Sequence, residues 1–345
     1  MEFASKGSWL SEGGPEADVV MSCRVRAARN LVGFPFVARA SDAERHELVH
    51  IAKQVVLDSE LGQEMIWVDL AKATSRDRQL LVERHLISRH LAEADMPRAV
   101  AVSEDETLSI MINEEDHLRM QLIAPGFRLA ELVEQIEKVD ETLEQKTDFA
   151  FSSRWGYLTA CPTNVGTGIR LSVMMHLPAL KLTNEIERVR RAAKDLHLAV
   201  RGYYGEGSES AGDFYQISNQ VTLGQSESEL LEEFVQVVLP RVIDYEHQSR
   251  KILVERNTNL LDDRVHRALA VLRSARLLGA EEAMKHLSRV RLGIHLRRLQ
   301  DVQLDVINRL LLQIQPGHLQ LHIGADLSPD RLREARANVV RKALR

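Results

Sequence analysis

The hydrophobic pattern of the chain changes near Asn257, and this change constrains the fold more than any other feature. Before it, short apolar runs such as 99–102 and 108–112 read as strands separated by polar turns and helical stretches. Beyond it, apolar residues recur at helical spacing as far as residue 314. The pattern therefore predicts an α+β part with a largely antiparallel β-sheet flanked by helices, followed by a helical part.

Element by element, helical spacing and strand-like runs divide the chain as follows. Helices are predicted over 41–61, 77–93, 129–145, 184–196 and 226–253, and a last helix over 331–344 begins after Ser328-Pro329. Strands are predicted over 99–102, 108–112, 120–123, 172–177, 198–204 and 214–223. With 345 residues the chain is long enough for two domains, which we place at 1–255 and 256–345.

Composition and charge exclude several classes of function. The chain is 44% hydrophobic and 28% charged, as in folded proteins, and its net charge of -5 provides no general basic field for nucleic acid or anionic lipid. Charged residues throughout the first twenty positions leave no room for a signal peptide or a membrane anchor. The two cysteines, Cys23 and Cys161, are too few for a disulfide framework. We expect a cytoplasmic protein with neither a membrane nor a nucleic-acid partner.

Five places are unusually rich in arginine, carboxylates or glycine for segments near a core. Taken singly, each has a plain structural explanation: Arg24 and Arg26 could form a solvated strand face, residues 114–116 a polar turn, and the glycines after Cys161 a flexible loop. Their joint occurrence and their order make a common function more probable than five coincidences. The five places are residues 22–26, His85, and residues 113–119, 161–170 and 201–206.

Together these segments resemble the signature regions of the phosphagen kinases, the family of creatine and arginine kinases. The similarity is greater still to the bacterial protein-arginine branch, above all over residues 147–180 and 201–226, and it extends over about residues 8 to 315. The resemblance implies a catalytic domain with the fold shared by phosphagen kinases and glutamine synthetases. It also implies Mg²⁺-dependent transfer of the γ-phosphoryl group of ATP to the guanidinium of arginine residues in proteins.

The resemblance also assigns a nucleotide site. Arginine suits this role because it is always charged and its planar fork contacts phosphate oxygens in pairs. No P-loop motif and no protein-kinase motif set is present in the sequence. No side-chain metal site is expected. The implied ATP-binding residues are Ser22, Cys23, Arg24, Val25, Arg26, His85, Arg119, Arg170, Leu171, Ser172, Val173, Met174, Arg201, Gly202, Tyr203, Tyr204, Gly205 and Glu206, of which the five arginines hold the phosphates and His85 lies against the nucleotide.

The phosphoryl acceptor, a substrate guanidinium, needs activation. It is protonated at neutral pH and must lose a proton to become a nucleophile. Glu115 and Glu206 match the family's pair of substrate-facing glutamates, and we expect Glu206 to act as the base and Glu115 to orient the substrate. Cys161 matches the cysteine next to the substrate, where a thiolate would place a negative charge beside the guanidinium. The alternative is an inert buried cysteine.

The nature of the substrate follows from what precedes the first arginine segment. Phosphagen kinases that act on small metabolites carry a longer N-terminal domain that encloses the substrate, and 23 residues precede Arg24 here. This favours arginine on a protein surface, with free arginine or another small guanidino compound as the alternative. The resemblance further implies that products are marked for a Clp-type protease, that a zinc-binding activator protein accompanies the enzyme, and that the helical part mediates a homodimer.

Two rival interpretations and one regulatory feature remain open. The run His46-Glu47-Leu48-Val49-His50 matches H-E-x-x-H and could hold zinc for proteolysis, although no third ligand is evident. The fold could also serve as a phosphoarginine-binding adaptor without turnover. Near the C-terminus the family's R-D-x-x-R-A motif aligns with residues 332–337, where Arg336 and Ala337 agree. Arg336 is therefore a candidate allosteric phosphoarginine site, or part of an ordinary basic helix.

Overall fold

The computed structural model describes residues 7–11, 13–196, 198–203 and 211–345. Within these residues, eight strands form one sheet in which every neighbouring pair is antiparallel. This confirms the predicted antiparallel sheet. The strands are β1 Val20–Arg29, β2 Met65–Asp69, β3 Ala99–Ser103, β4 Leu108–Ile112, β5 Leu118–Pro125, β8 Ile169–His176, β9 Leu198–Arg201 and β10 Phe214–Asn219, and a separate hairpin consists of β6 Phe151–Ser152 and β7 Gly156–Tyr157. The order across the sheet is β2-β3-β4-β5-β1-β8-β10-β9.

The helices of the first part connect and cover these strands. They are α1 Asp42–Leu57, α2 Ser75–Glu83, α3 Arg89–Glu93, α4 Leu129–Glu144, α5 Pro178–Leu182, α6 Ile186–Asp195, α7 Glu227–Glu232 and α8 Leu239–Arg256, with a π-helical segment Glu233–Val238 joining the last two. Helix α1 begins where its capping box predicts, because the Ser41 hydroxyl accepts from Glu44 N–H while the Glu44 carboxylate accepts from Ser41 N–H. The helix expected over 77–93 is instead two helices, broken at a left-handed His85 with φ 61°.

The second part is helical, as predicted. Its helices are α9 Thr258–Ser274, α10 Ala280–His295, α11 Leu304–Gln313, α12 Pro316–Ile323 and α13 Pro329–Ala343. Pro329 occupies the first turn of α13, where its missing N–H costs no helical hydrogen bond. Ser328 has the extended backbone of an N-cap residue, but its hydroxyl makes no capping hydrogen bond, so proline and not the hydroxyl defines this helix start.

Strand periodicity gives the sheet two chemically different faces. Side chains alternate across a strand, so Cys23 and Val25 point to one face and Arg24 and Arg26 to the other. The first face is fully buried against α1, α4, α6 and α8, and each large aliphatic side chain there contributes about 1.5–3 kcal/mol. This core fixes the register of β1, since a slip by one residue would bury the arginines.

The second face is covered at its two ends. Helices α2 and α3 pack Leu81 and Leu91 against the β2–β4 end, where Met111 belongs to the same apolar cluster. The C-terminal helices pack on Met174 and Phe214 at the β8–β10 end. Between these helices, the middle of the second face forms the floor of a cleft. This part of the sheet consists of β1, β5 and β8. Among the helices of the described chain, none has the length and apolarity needed to cross a membrane.

Candidate active site

The cleft contains a cavity of about 650 Å³, and strand register explains why so many arginines line it. On the cleft face Arg24 lies opposite Ser172 and Arg26 opposite Arg170 in the β1–β8 pair, and Ala28 lies opposite Arg119 in the β1–β5 pair. Arg201 at the end of β9 completes the group. The structure therefore brings together all five arginines that the sequence singled out, namely Arg24, Arg26, Arg119, Arg170 and Arg201.

The positive charges of these guanidinium groups repel one another and make the charged forms of Arg24 and Arg26 less favourable. Burial, followed by the positive charges of Arg170, Arg119 and Arg201, lowers the pKa of Arg24 to about 10. Burial and the charges of Arg24, Arg119 and Arg170 hold the pKa of Arg26 well below its usual range, and the Arg26 Nε is buried without a hydrogen-bond partner. A ligand with several negative charges would relieve both costs. The site thus fits the phosphates of a nucleotide.

Residues on β10 hold two of the arginines in place. The Arg24 guanidinium donates to Gln216 Oε1 at 3.0 Å and to Ser172 Oγ at 3.3 Å, and Arg170 donates to Ser218 Oγ at 3.1 Å. Gln216 and Ser218 are not among the site residues predicted from the sequence. They could have been found, because polar residues at every second position of an otherwise apolar strand mark a polar face.

Arg119 is positioned by a buried carboxylate that the sequence analysis treated as part of a turn. Glu114 forms an ion pair with Arg119 and accepts from Ser88 Oγ and from Glu115 N–H, each at 2.8 Å. Burial raises the pKa of the Glu114 carboxyl, but Arg119 and these hydrogen bonds outweigh burial and hold it below its usual range. Glu114 is therefore ionised and committed to shaping the site.

Two of the proposed substrate-facing residues share this cavity. Glu115 is 48% exposed, and its carboxylate lies 3.5 Å from the Arg119 guanidinium. Cys161 is partly exposed and its Sγ lies 3.0 Å from Thr163 Oγ1. This thiol is accessible from the cavity, which argues against the alternative of an inert buried cysteine.

The loop that carries Cys161 is held from two sides. Thr159 Oγ1 donates to Cys161 O at 2.8 Å, and Thr222 Oγ1 donates to Val165 O at the same distance. Gly166 has φ 115°, and a Cβ there would lie 2.6 Å from Thr222 O. Glycine is thus required for the loop to approach the segment after β10, and the loop is fixed by specific contacts.

A small recess lies beside the arginine cluster, lined by the apolar side chains of Trp9, Ile123 and Met174 and by the polar side chains of Ser22, Arg24, His85, Ser172 and Gln216. The His85 ring contacts Trp9 edge-on with centroids 4.7 Å apart, and its Nε2 is buried without a partner. Burial, then Arg24 and Arg89, lower the pKa of His85 to about 3, so the ring is neutral. His85 also lines the larger cavity, so a neutral ring with an unpaired polar atom is available there for contact with the base of a nucleotide.

Some of the implied ATP-binding positions can act only through the backbone. The side chains of Cys23, Val25, Leu171 and Val173 point to the opposite face of the sheet and are buried in the core. Burial raises the pKa of the Cys23 thiol to about 12. Gly202 and Tyr203 follow β9, with Tyr203 at the cavity wall. The implied site residues Tyr204, Gly205 and Glu206 lie outside the described residues.

Arg336, the candidate allosteric residue, makes contacts typical of a side chain with a structural role. Arg336 is 3% exposed, and its guanidinium donates to Ile314 O at 2.8 Å and to Leu278 O at 2.9 Å. These bonds satisfy carbonyl groups at the end of α11 and before α10. The contacts favour the interpretation as part of an ordinary helix.

The H-E-x-x-H run lies on α1, as a zinc site requires, but His46 and His50 are both exposed. His46 Nδ1 lies 2.9 Å from Asp42 O, a contact within the same helix. Within the described part of the chain, the side chains close enough together to share a metal ion are those of Glu16, Asp18 and His247. This group includes neither His46 nor His50. The arrangement gives the zinc-protease alternative no support.

Comparison with known proteins identifies the family. The sequence model of the ATP:guanido phosphotransferase C-terminal catalytic domain matches residues 47–249, which is more than half of the chain. The chain belongs to the ATP:guanido phosphotransferase family. The predicted relationship to phosphagen kinases is thereby confirmed. A second sequence model, the C-terminal domain of the protein-arginine kinase McsB, matches residues 258–345 of this family member.

Relatives of this phosphotransferase match it over nearly its whole length. It is 45% identical to the protein-arginine kinase of Halalkalibacterium halodurans, over 98% of this chain and 95% of that protein. It is also 45% identical to the protein-arginine kinase of Symbiobacterium thermophilum, over 99% and 97% of the two chains. These matches include the helical part, as expected for the protein-arginine branch.

Solved structures support the same fold for this phosphotransferase. Lombricine kinase matches with a TM-score of 0.60 and 25% identity, over 70% of both chains. The duplicated taurocyamine kinase of Schistosoma mansoni, solved with transition-state analogue components, matches with a TM-score of 0.62 and 25% identity, over 72% of this chain and 36% of that one. The phosphagen-kinase architecture expected from the sequence is confirmed.

Proposed function

We propose that this protein transfers the γ-phosphoryl group of ATP to the guanidinium of arginine residues in other proteins. One observation carries the proposal: five arginines lie on a single sheet face in the cavity that also contains Glu115 and Cys161. Such a cavity offers cations for a polyphosphate and a carboxylate for a guanidinium, which are the two charge patterns of the reaction. The names of the full-length relatives agree with it.

ATP would bind with its phosphates on the arginine cluster and its base against the neutral ring of His85, which lines the same cavity. Clamping by fixed positive charges lowers the barrier to phosphoryl transfer because the charge of the transition state is spread over the γ-phosphoryl oxygens. Bound Mg²⁺ would neutralise part of the phosphate charge. We propose that phosphate oxygens supply most of its ligands, because Glu114 is committed to Arg119 and Ser88.

The acceptor arginine would enter beside Glu115 and Cys161. Glu115 accepts N–H groups of the guanidinium and orients it, while Glu206 takes the proton from the attacking nitrogen. The nitrogen lone pair then forms the P–N bond as the bond between the γ-phosphorus and the β–γ bridging oxygen breaks, and ADP leaves. A Cys161 thiolate would stabilise the positive charge on the rest of the guanidinium.

Further biological assignments are part of the proposal. They are a cytoplasmic location, marking of products for Clp-type proteolysis, a zinc-binding activator, and a homodimer formed through the helical part. We also propose the division into domains at 255/256, which the nearby break between α8, ending at Arg256, and α9, beginning at Thr258, supports. For Arg336 we propose a structural role, because its guanidinium is buried against backbone carbonyls.

The test incubates the purified protein with Mg²⁺-ATP and an arginine-rich unfolded protein, with free arginine in parallel. Products are analysed by mass spectrometry under non-acidic conditions that preserve the P–N bond. Phosphate on protein arginine alone, absent with Glu115→Gln, is the expected result. Phosphate on free arginine would instead make the protein a small-guanidino kinase. Binding of phosphoarginine without ATP binding would favour the adaptor.

A further inference from the structure

A direct connection links the C-terminal helices to His85, which lines both the recess and the cavity with the arginine cluster. Glu83, the last residue of α2, is buried, and its carboxylate accepts from Gly317 N–H at 2.8 Å and from His318 N–H at 3.1 Å. Both N–H groups belong to the first turn of α12. Helix starts have N–H groups without intrahelical acceptors and a positive dipole end, so a carboxylate from another element is a strong cap there.

The His318 side chain strengthens this connection from the other side. Its Nδ1 lies 2.7 Å from Glu83 Oε2, and its Nε2 lies 3.3 Å from Arg84 Nε. Donation from Nδ1–H to the carboxylate, with acceptance at Nε2 from the guanidinium, satisfies a neutral imidazole completely. Arg84 also pairs with the buried carboxylate of Glu106. Glu83, the last residue of α2, and Arg84, which follows it, therefore hold α12 in place.

The residue that follows these two is His85, whose ring lines the recess. Its φ of 61° is uncommon for a residue other than glycine and persists only where the surroundings impose it. On the other side, Gln121 Nε2 donates to His85 O at 2.7 Å. His85 is thus held on one side by Gln121 on the sheet and on the other by Glu83 and Arg84, which contact α12. A shift of Gln121 or of α12 would therefore change the direction of the His85 ring.

Close packing makes the connection sensitive to a single methyl group. A Cβ at Gly317 would lie 2.9 Å from Glu83 Oε2 and 3.2 Å from Gln79 Cγ. Gln79 in turn donates to Glu83 Oε1 at 2.9 Å. Because both neighbours already have hydrogen-bond partners, an alanine at this position would have to displace the Glu83 carboxylate.

We propose that Glu83 is a positioning residue for the nucleotide site. The α12 clamp, which consists of Glu83, Arg84, Gly317 and His318, fixes the orientation of His85 and thereby sets the affinity for ATP. The C-terminal helices consequently tune nucleotide binding, although they contribute no side chain to the arginine cluster among the described residues. The inference rests on the proposed function only in taking ATP as the nucleotide.

The test compares clamp variants with matched controls in the full-length protein. Gly317→Ala and His318→Ala each disturb the clamp. Gly279→Ala, at the start of α10 with no contact closer than 3.8 Å to the new Cβ, and His322→Ala, exposed on α12, make the same chemical changes elsewhere. We expect the clamp variants to raise the Kd and KM for ATP about 5- to 20-fold with kcat within about threefold, and the controls to match the wild type.

A double-mutant cycle tests whether His85 transmits the effect. In a His85→Ala background, Gly317→Ala should raise the Kd for ATP no further, because the side chain that the clamp orients is absent. A purely structural clamp would lower the melting temperature and leave the KM for ATP of the folded protein unchanged. That result, with folding checked by circular dichroism, would overturn the proposal.

The remaining outcomes are also decisive. If Gly317→Ala fails to fold, His318→Ala keeps both backbone hydrogen bonds to Glu83 and gives the same readout. Calorimetric ATP binding does not depend on phosphorylation, so a wild-type protein that binds ATP without phosphorylating arginine would contradict the proposed function and still test the clamp. A wild-type protein that fails to bind ATP would overturn both.

Discussion

Replacing Arg26 with methionine should stabilise the protein and destroy the proposed nucleotide site. Burial, followed by the positive charges of Arg24, Arg119 and Arg170, holds the pKa of Arg26 well below its usual range, so its charged form is unfavourable in the folded protein. Replacing buried ionic groups with apolar residues of similar volume often stabilises a protein by about 1–4 kcal/mol, and because the cleft is open to solvent we expect the lower part of that range, about 1–2 kcal/mol. Arg26 Nε has no hydrogen-bond partner to lose, and methionine keeps the unbranched apolar stem.

The control lies three residues further along the same strand, on the opposite face. Arg29 is 1% exposed, donates to Asp140 Oδ1 at 2.9 Å and to Thr167 O at 2.9 Å, and pairs with the Asp140 carboxylate. Arg29→Met leaves that carboxylate without its cation and should cost about 3 kcal/mol or more. The two substitutions are chemically identical, yet opposite changes in the free energy of unfolding are expected.

The assay is urea unfolding at pH 7 with and without a non-hydrolysable ATP analogue. At pH 7 the full cost of the buried charge is present, because an arginine with a lowered pKa in the folded state loses this cost only as pH rises above the folded pKa towards the ordinary value for arginine. At 100 times its Kd, the analogue should stabilise the wild type by about 2.7 kcal/mol and Arg26→Met by far less. If Arg26→Met proved less stable than the wild type, or gained as much from the analogue, the reasoning would be refuted.

Three further predictions concern single groups of the site. Glu115→Gln should lower kcat about 100-fold or more while the KM for ATP stays within about threefold, as measured by steady-state phosphorylation of a protein substrate; an unchanged kcat would contradict the assigned role. Iodoacetamide at pH 8 should alkylate the accessible Cys161 long before Cys23, whose pKa burial raises to about 12, as peptide mass spectrometry can show; equal rates would contradict the buried position. Because burial lowers the pKa of His85 to about 3, this residue destabilises the fold as pH falls from 6.5 towards 3, so His85→Gln should give a shallower loss of unfolding free energy between pH 6.5 and 4.

The sheet and its arginine face could be predicted because both depend on local pattern. Alternation along β1 separates Arg24 and Arg26 from Cys23 and Val25, and the same rule applied to β10 would have added Gln216 to the site. The prediction included Cys23 and Val25 because family resemblance marks positions in a motif, whereas binding by side chains needs one face only.

Other features of the site depend on contacts that no local pattern reports. His85 adopts a left-handed backbone without being glycine, and the contacts that impose it come from Gln121 and from Glu83 with its distant partner His318. Trp9 reaches the recess from a segment that precedes the first strand. Such positions are fixed by tertiary packing, and sequence spacing carries no information about them.

Strand β1 shows how stability and catalysis are kept apart in this fold. Its core-facing residues, from Cys23 and Val25 to the paired Arg29, hold the sheet to the helices, while its cleft-facing arginines are held there against burial and mutual repulsion. The unfavourable arrangement of the arginines persists because the core-facing residues supply a surplus of stability. It also persists because the helices that cover both ends of the cleft face keep the arginines in register. The same repulsion makes the cluster selective, since a ligand gains by entering only if it brings enough negative charge to relieve several cations together. A nucleotide triphosphate meets that condition, and a singly charged anion does not.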